Sequence, residues 1–90
     1  MKPVLVTTEH RGVFFGYVDE YPNLDESNTI KLDSAKMAIR WGTDKGVMQL
    51  ANEGVQESSL ISSMADIPSL AKVTAVFAVT KQAEKTWTAA

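Results

Sequence analysis

Ile30-Lys31-Leu32-Asp33-Ser34-Ala35-Lys36-Met37-Ala38-Ile39-Arg40-Trp41 is the stretch whose reading decides the fold. From Ala35 onward the apolar side chains of Ala35, Met37, Ile39 and Trp41 fall on every second position, with Lys36, Ala38 and Arg40 between them. Successive side chains of a strand point to opposite faces, so this period predicts a strand with one buried face. A helix would scatter the same four residues around its circumference, and the period outweighs the good helix propensity of Ala, Lys and Met. The division points Trp41 one way and Lys36 and Arg40 the other.

Outward from this strand, the N-terminal side predicts a hairpin. Val4 to Thr8 is a short β-type run, with Pro3 tolerable at a strand edge. Val13 to Val18, VFFGYV, is a second run, and Glu9-His10-Arg11-Gly12 between them makes the loop. Both faces of the second run are apolar: Val13, Phe15 and Tyr17 on one, Phe14 and Val18 on the other. Gly16 leaves a gap or a bulge where another backbone can approach. Asp19 to Asn28, DEYPNLDESN, is acidic and rich in turn formers, and predicts a solvated loop bending at Tyr21-Pro22-Asn23.

On the C-terminal side, Gly42-Thr43-Asp44-Lys45-Gly46 predicts a turn. Val47, Leu50 and Ala51 then stand at helical spacing, with Gly54 placed to cap a helix of about two turns. Ser58 to Ser63, SSLISS, predicts a short strand or irregular edge, and Asp66-Ile67-Pro68-Ser69 a turn, since proline disfavours helical geometry in the residue before it. Lys72 to Val79, KVTAVFAV, carries apolar residues on both faces, the pattern of a central strand covered on both sides. Thr80 is placed to cap a final helix from Lys81 to about Trp87, with Ala83 and Trp87 four residues apart on one face.

The elements together predict an α+β fold in a single domain, residues 1–90: a small, mostly antiparallel β-sheet or a partly open barrel of about five strands, with two short helices. Strands with two apolar faces need cover that two short helices scarcely provide. A closed barrel or a symmetric homo-oligomer, dimer first, supplies it; a monomer whose helices suffice is the alternative.

Composition excludes several classes. Hydrophobic residues at 44% and charged residues at 22% describe a globular rather than a disordered chain. The net charge of −2 argues against a protein that coats duplex nucleic acid, which needs a basic face. With no cysteine there is no disulfide, thiolate metal site or cysteine nucleophile. MKPVLVTTEHRG lacks an apolar core of signal-peptide length, and no run approaches the ~20 apolar residues that span a bilayer, so a soluble, cytoplasmic protein without membrane partners is expected.

Catalysis finds no motif. His10 is the single histidine and has no nucleophile elbow, phosphate loop or metal-ligand partner around it, so no enzyme, cofactor or metal is expected. The acidic loop lacks the alternating ligands and central glycine of a calcium site. Asp33 with Ser34 and Asp66 with Ser69 are better read as turn and hydrogen-bonding residues than as acid-base pairs. Binding is better served. Lys36 and Arg40 share a strand face, Lys31 and Lys45 lie beyond its ends, and Gly42-Thr43 adds backbone and hydroxyl donors. Arg40 can grip a phosphate with two parallel hydrogen bonds, and Trp41 or Tyr17 can stack on a base. The expected ligand residues are Arg40, Trp41, Lys36, Thr43 and Tyr17, with Arg11 from a neighbouring subunit, around a small phosphorylated ligand. A solvated Lys36 and Arg40 over a core Trp41 is the plain alternative.

Gly12-Val13-Phe14-Phe15-Gly16-Tyr17, Leu32 with Ala35-Lys36 and Trp41, Leu50-Ala51 with Gly54, and Val73 to Val79 followed by Ala83-Glu84-Lys85 resemble a group of small tailed-phage and prophage proteins that constitute a domain of unknown function. The resemblance implies a phage accessory protein in the host cytoplasm that counters antiviral defence by binding. It is then either an oligomeric sponge for a nucleotide second messenger or a stoichiometric inhibitor of a host defence protein, the latter using the acidic segment Asp19 to Glu26 as its docking edge. A minor virion or housekeeping protein is the remaining reading.

Overall fold

A computed structural model describes residues 1–9, 12–22, 29–40, 46–56 and 59–90. The hairpin forms as its sequence predicts: β1 (Lys2–Thr8) runs antiparallel to β2 (Val13–Val18), with Val4 opposite Gly16 and Val6 opposite Phe14. Thr8 closes the turn from both sides, its N–H donating to the Gly12 carbonyl and its Oγ1 accepting from the Gly12 N–H, each at 3.0 Å. β2 pairs on its other edge with β3 (Ile30–Arg40), the long strand predicted from the alternation. Trp41 and the expected turn at 42–45 lie outside the described residues, as do His10 and Arg11.

The remaining edge of β3 is shared. Its first half pairs with β5 (Ala65–Leu70) and its second half with β4 (Leu60–Ile61). β1 pairs on the far side with β6 (Val73–Ala78), so the main order is β4-β3-β2-β1-β6, all antiparallel, with β5 beside β4 on β3. The sheet has six strands and does not close into a barrel. Two short helices complete the α+β fold, α1 (Val47–Asn52) and α2 (Lys81–Ala89). Gly54 lies just beyond α1 with φ 95° and donates to the Gln49 carbonyl, the left-handed stop that glycine permits. Thr80 caps α2 as expected, its hydroxyl accepting from the Ala83 N–H at 3.1 Å.

Two expectations are corrected. Residues 66–69 are strand rather than turn. Ile67 and Leu70 pack into a core, and Pro68, which cannot donate to a ladder, is tolerated because β5 is an edge strand with shifts in register on either side of Leu32. The Val73 strand is at an edge rather than in the centre: within one chain β6 has β1 on one side and, among the described residues, no strand on the other.

Apolar residues on both faces of the sheet give two cores. Val4, Val6, Val18, Ile30, Leu32, Ala35 and Val73 fill one, with Phe14, Ile67, Leu70 and Val76 packed against it. Leu5, Val13, Phe15, Ala38, Leu50, Ala51 and Trp87 fill the other, beneath the helices. Trp87 and Phe15 stack with ring planes 4° apart and centroids at 5.2 Å, and the Trp87 indole donates to the Leu50 carbonyl at 3.2 Å. Burying side chains of this size stabilises by roughly 1.5–3 kcal/mol each.

The two faces of β3 are divided as the alternation predicts, but their burial is reversed beyond Ala35. Ala38, on the Lys36 and Arg40 face, is buried under the helices, whereas Met37 and Ile39 are 37% and 57% exposed. The small Ala38 side chain lets Leu50 and Ala51 of α1 approach the sheet; Met37 and Ile39 lie on the face where no helix packs.

Candidate functional site

Lys36 stands opposite Phe15 on the helix-covered face, which brings its stem beneath the end of α2. Its ammonium donates to the backbone oxygens of Trp87 at 3.0 Å, Ala90 at 2.7 Å and Thr88 at 3.4 Å. The last carbonyls of a helix lack partners within the helix and carry the negative end of its dipole, so a cation there satisfies both needs. Lys36 is thus the C-terminal anchor of α2, and its three protons face protein oxygens.

Tyr17 lies on the same face and is equally committed. Its hydroxyl donates to the Glu84 carboxylate at 2.6 Å. Burial, then the hydrogen bond and the negative charge of Glu84, push the phenol from its ordinary value of 10.0 up to about 12. Tyr17 also meets Phe15 edge-on at 5.4 Å, so its ring is packed against the core aromatics. Between Tyr17, Lys36, Phe15, Ser34, Met64 and Thr88 lies a cavity of about 190 Å³. The structure therefore brings Lys36 and Tyr17, two of the expected ligand residues, together as fastenings for one helix. Glu84 and the end of α2, their partners, were missed because nothing in the local pattern shows where a terminal helix docks.

Arg40 differs. It is exposed at the end of β3, opposite Leu60 of β4 across a shift in register, and has no ion pair among the described residues. Next to it in the strand, on the face opposite Lys36 and Ala38, Ile39 is 57% exposed, and Met37 continues that stripe to half-buried Phe14, its register partner on β2; Leu60 of β4 is 50% exposed. Ser62 pins this corner, its Oγ accepting from the Met37 N–H at 2.8 Å and its N–H donating to the Met37 carbonyl at 2.9 Å. Trp41, Thr43 and Arg11, the other expected ligand residues, and Lys45 lie outside the described residues.

The acidic segment is described only at its start. Asp19, Glu20 and Pro22 line, with Val18, Thr29, Ile30, Lys31 and Asp33, a second cavity of about 220 Å³. Its charge is partly balanced: Lys2 reaches Glu20 at 3.5 Å and lies 4.6 Å from the Tyr21 ring centre, and Lys31 reaches Asp33 at 3.9 Å. Asp66 accepts from the Ser34 N–H at 2.8 Å, a bond from β5 across to β3 rather than the turn or local hydrogen bond expected of it. Among the described residues no group of three His, Cys, Asp or Glu side chains is placed to hold a metal ion, and no helix is long and apolar enough to cross a membrane.

Neither the curated proteins nor the solved structures provide a match to this chain. One family's sequence profile matches residues 1–87, which takes in every strand and nearly all of α2. The chain belongs to that family, described as a domain of unknown function (DUF6948).

Proposed function

We propose that this protein works by binding rather than catalysis, and that its working surface is the corner formed by Met37, Ile39, Arg40 and Leu60. The observation that carries this reading is an arginine with no ion pair among the described residues, at the strand end that also carries the exposed aliphatic side chains of Met37, Ile39 and Leu60. Arginine and methionine are enriched at protein interfaces, where lysine is depleted. The charge specifies the occupant: a protein surface that is apolar at its centre and presents a carboxylate to Arg40. A photo-cross-linking residue placed in turn at Ile39, Leu60 and, as control, exposed Met48 of α1 tests this in cells. The same partner captured at Ile39 and Leu60, absent at Met48 and lost on Arg40→Glu supports the reading. Capture equal at all three positions, or at Met48 alone, overturns it.

A second reading is a small phosphorylated or nucleotide ligand sequestered at Arg40. The guanidinium, without an ion pair among the described residues, favours it; the engagement of Lys36 with α2 and of Tyr17 with Glu84 removes two of its expected contacts. Native mass spectrometry of protein purified from cells separates the readings: a retained mass of nucleotide size that disappears in Arg40→Ala supports this one and defeats the first. The resemblance to tailed-phage proteins supplies a setting for either, a phage accessory protein that binds a host defence protein or its messenger in the host cytoplasm. Deleting the gene from such a phage would then reduce growth on defended hosts alone.

A further inference from the structure

The two edges of the sheet are built differently. The β4 and β5 edge carries several of the common protections against pairing with another strand: β4 has two residues, and β5 contains Asp66 and Pro68 and slips register against β3. β6 has neither charge nor proline anywhere in Val73-Thr74-Ala75-Val76-Phe77-Ala78, and its one irregularity is at its start, where Thr8 pairs with Val73. An apolar edge of this kind is a template for another strand.

Register fixes which groups it offers. The Val79 N–H donates to the Pro3 carbonyl, which makes Pro3 and Val79 a hydrogen-bonded pair and, by alternation, Leu5 with Phe77 and Thr7 with Ala75 as well. Val76 and Ala78 therefore turn their N–H and C=O groups outward, as does Thr74 at the irregular start of the strand.

We infer that two copies of this chain join β6 to β6 antiparallel about a two-fold axis through Val76, making one continuous sheet. In this register Val76 meets its own copy, Thr74 meets Ala78 of the partner, and all outward groups are paired. On the helix face, small Ala75 lies beside large Phe77 of the partner, twice over by symmetry, and no charge on either strand opposes the approach. A second copy is the occupant because antiparallel self-pairing is complementary by construction. It also makes β6 the central strand that its composition describes. This inference stands apart from the proposed binding corner, which lies on strands at the other edge.

Light scattering of the purified chain is expected to give twice 9.8 kDa. A hydrogen-bonded antiparallel pair holds its Cα atoms about 5.5 Å apart, within disulfide range, and the chain has no cysteine to confuse the result. Val76→Cys is expected to give a covalent dimer on mild oxidation of dilute protein, with Ile39→Cys remaining a monomer on the same denaturing gel. Ala78→Pro removes an outward N–H without touching a bond to β1 and is expected to halve the native mass with an unchanged circular dichroism spectrum. A wild-type mass of 9.8 kDa at high micromolar concentration overturns the inference, as does a dimer that cross-links through Ile39→Cys and not through Val76→Cys.

Discussion

Replacing Lys36 by methionine tests whether this side chain is a helix anchor or an available ligand group. Methionine keeps the length and the apolar stem and removes only the ammonium. The loss includes two close hydrogen bonds, at 2.7 and 3.0 Å, a longer one at 3.4 Å, and the interaction of a full positive charge with the end of α2. A cation at a partly buried helix C-terminus contributes up to ~2 kcal/mol. Against it stands the ordering of a lysine side chain, an entropy cost of at most ~2 kcal/mol, part of which the packing against Phe15 already imposes. The net destabilisation is about 1–2 kcal/mol, and for a domain of this size the thermal midpoint should fall by roughly 5–15 °C. Paired thermal and urea melts of the wild type and Lys36→Met measure it. Fluorescence should report the loosening of Trp87 in the same transition. A midpoint unchanged within error would refute the anchoring argument and return Lys36 to the ligand surface.

Tyr17→Phe removes the bond to Glu84 and with it a pH dependence. The folded state holds the phenol neutral up to about 12 against 10.0 ordinarily, so its contribution is complete below pH 10 and is lost as pH rises through about 12; the stability gap between wild type and Tyr17→Phe should narrow by about 1–3 kcal/mol across that window in urea melts. Gly16→Ala sets a Cβ 3.0–3.3 Å from Leu32 side-chain atoms inside a core and should cost about 1–3 kcal/mol, with a double cycle through Leu32→Ala showing the coupling. Trp87→Phe leaves the Leu50 carbonyl without its indole donor and under-fills the core, an expected loss of about 2–4 kcal/mol that should appear as a large fall in the urea midpoint.

What the sequence made legible was local. The hairpin at Thr8 and Gly12, the Gly54 stop of α1 and the Thr80 cap of α2 are each decided by residues within a few positions, and all form as predicted. What escaped it was decided at a distance. An apolar run reads the same whether it lies in the middle of a sheet or at its edge, so β6 was placed by composition and β5 was lost to its proline. Of the candidate site's described residues, Arg40 alone is exposed and without an ion pair among the described residues, as expected of a ligand residue. The fates of Lys36 and Tyr17 depend on where α2 docks, and their partners are 51 to 67 positions away in sequence.

The reversal on β3 has a single cause that also explains the surface left open. Between Tyr17, opposite Asp33, and Phe15, opposite Lys36, β2 advances two residues and β3 three. The extra residue lies at Ser34, which takes φ 50° and whose N–H is held by Asp66. One added residue changes the phase of every side chain beyond it. Ile30 and Leu32 therefore share a face with Ala35, Met37 and Ile39, although their numbers differ by odd intervals, and that face is buried for its first half by β5 residues Ile67 and Leu70. β5 ends its pairing at Ala35, and β4, which takes over, contributes only Leu60 and Ile61. Ile61 packs with Ala38 under the helices, and Leu60 is left beside Ile39. The exposed stripe is thus the continuation of a core face past the point where, among the described residues, strand covers it. A strand patterned for burial and left open beside an arginine with no ion pair among the described residues is the physical basis for reading that corner as the place where a partner completes the fold.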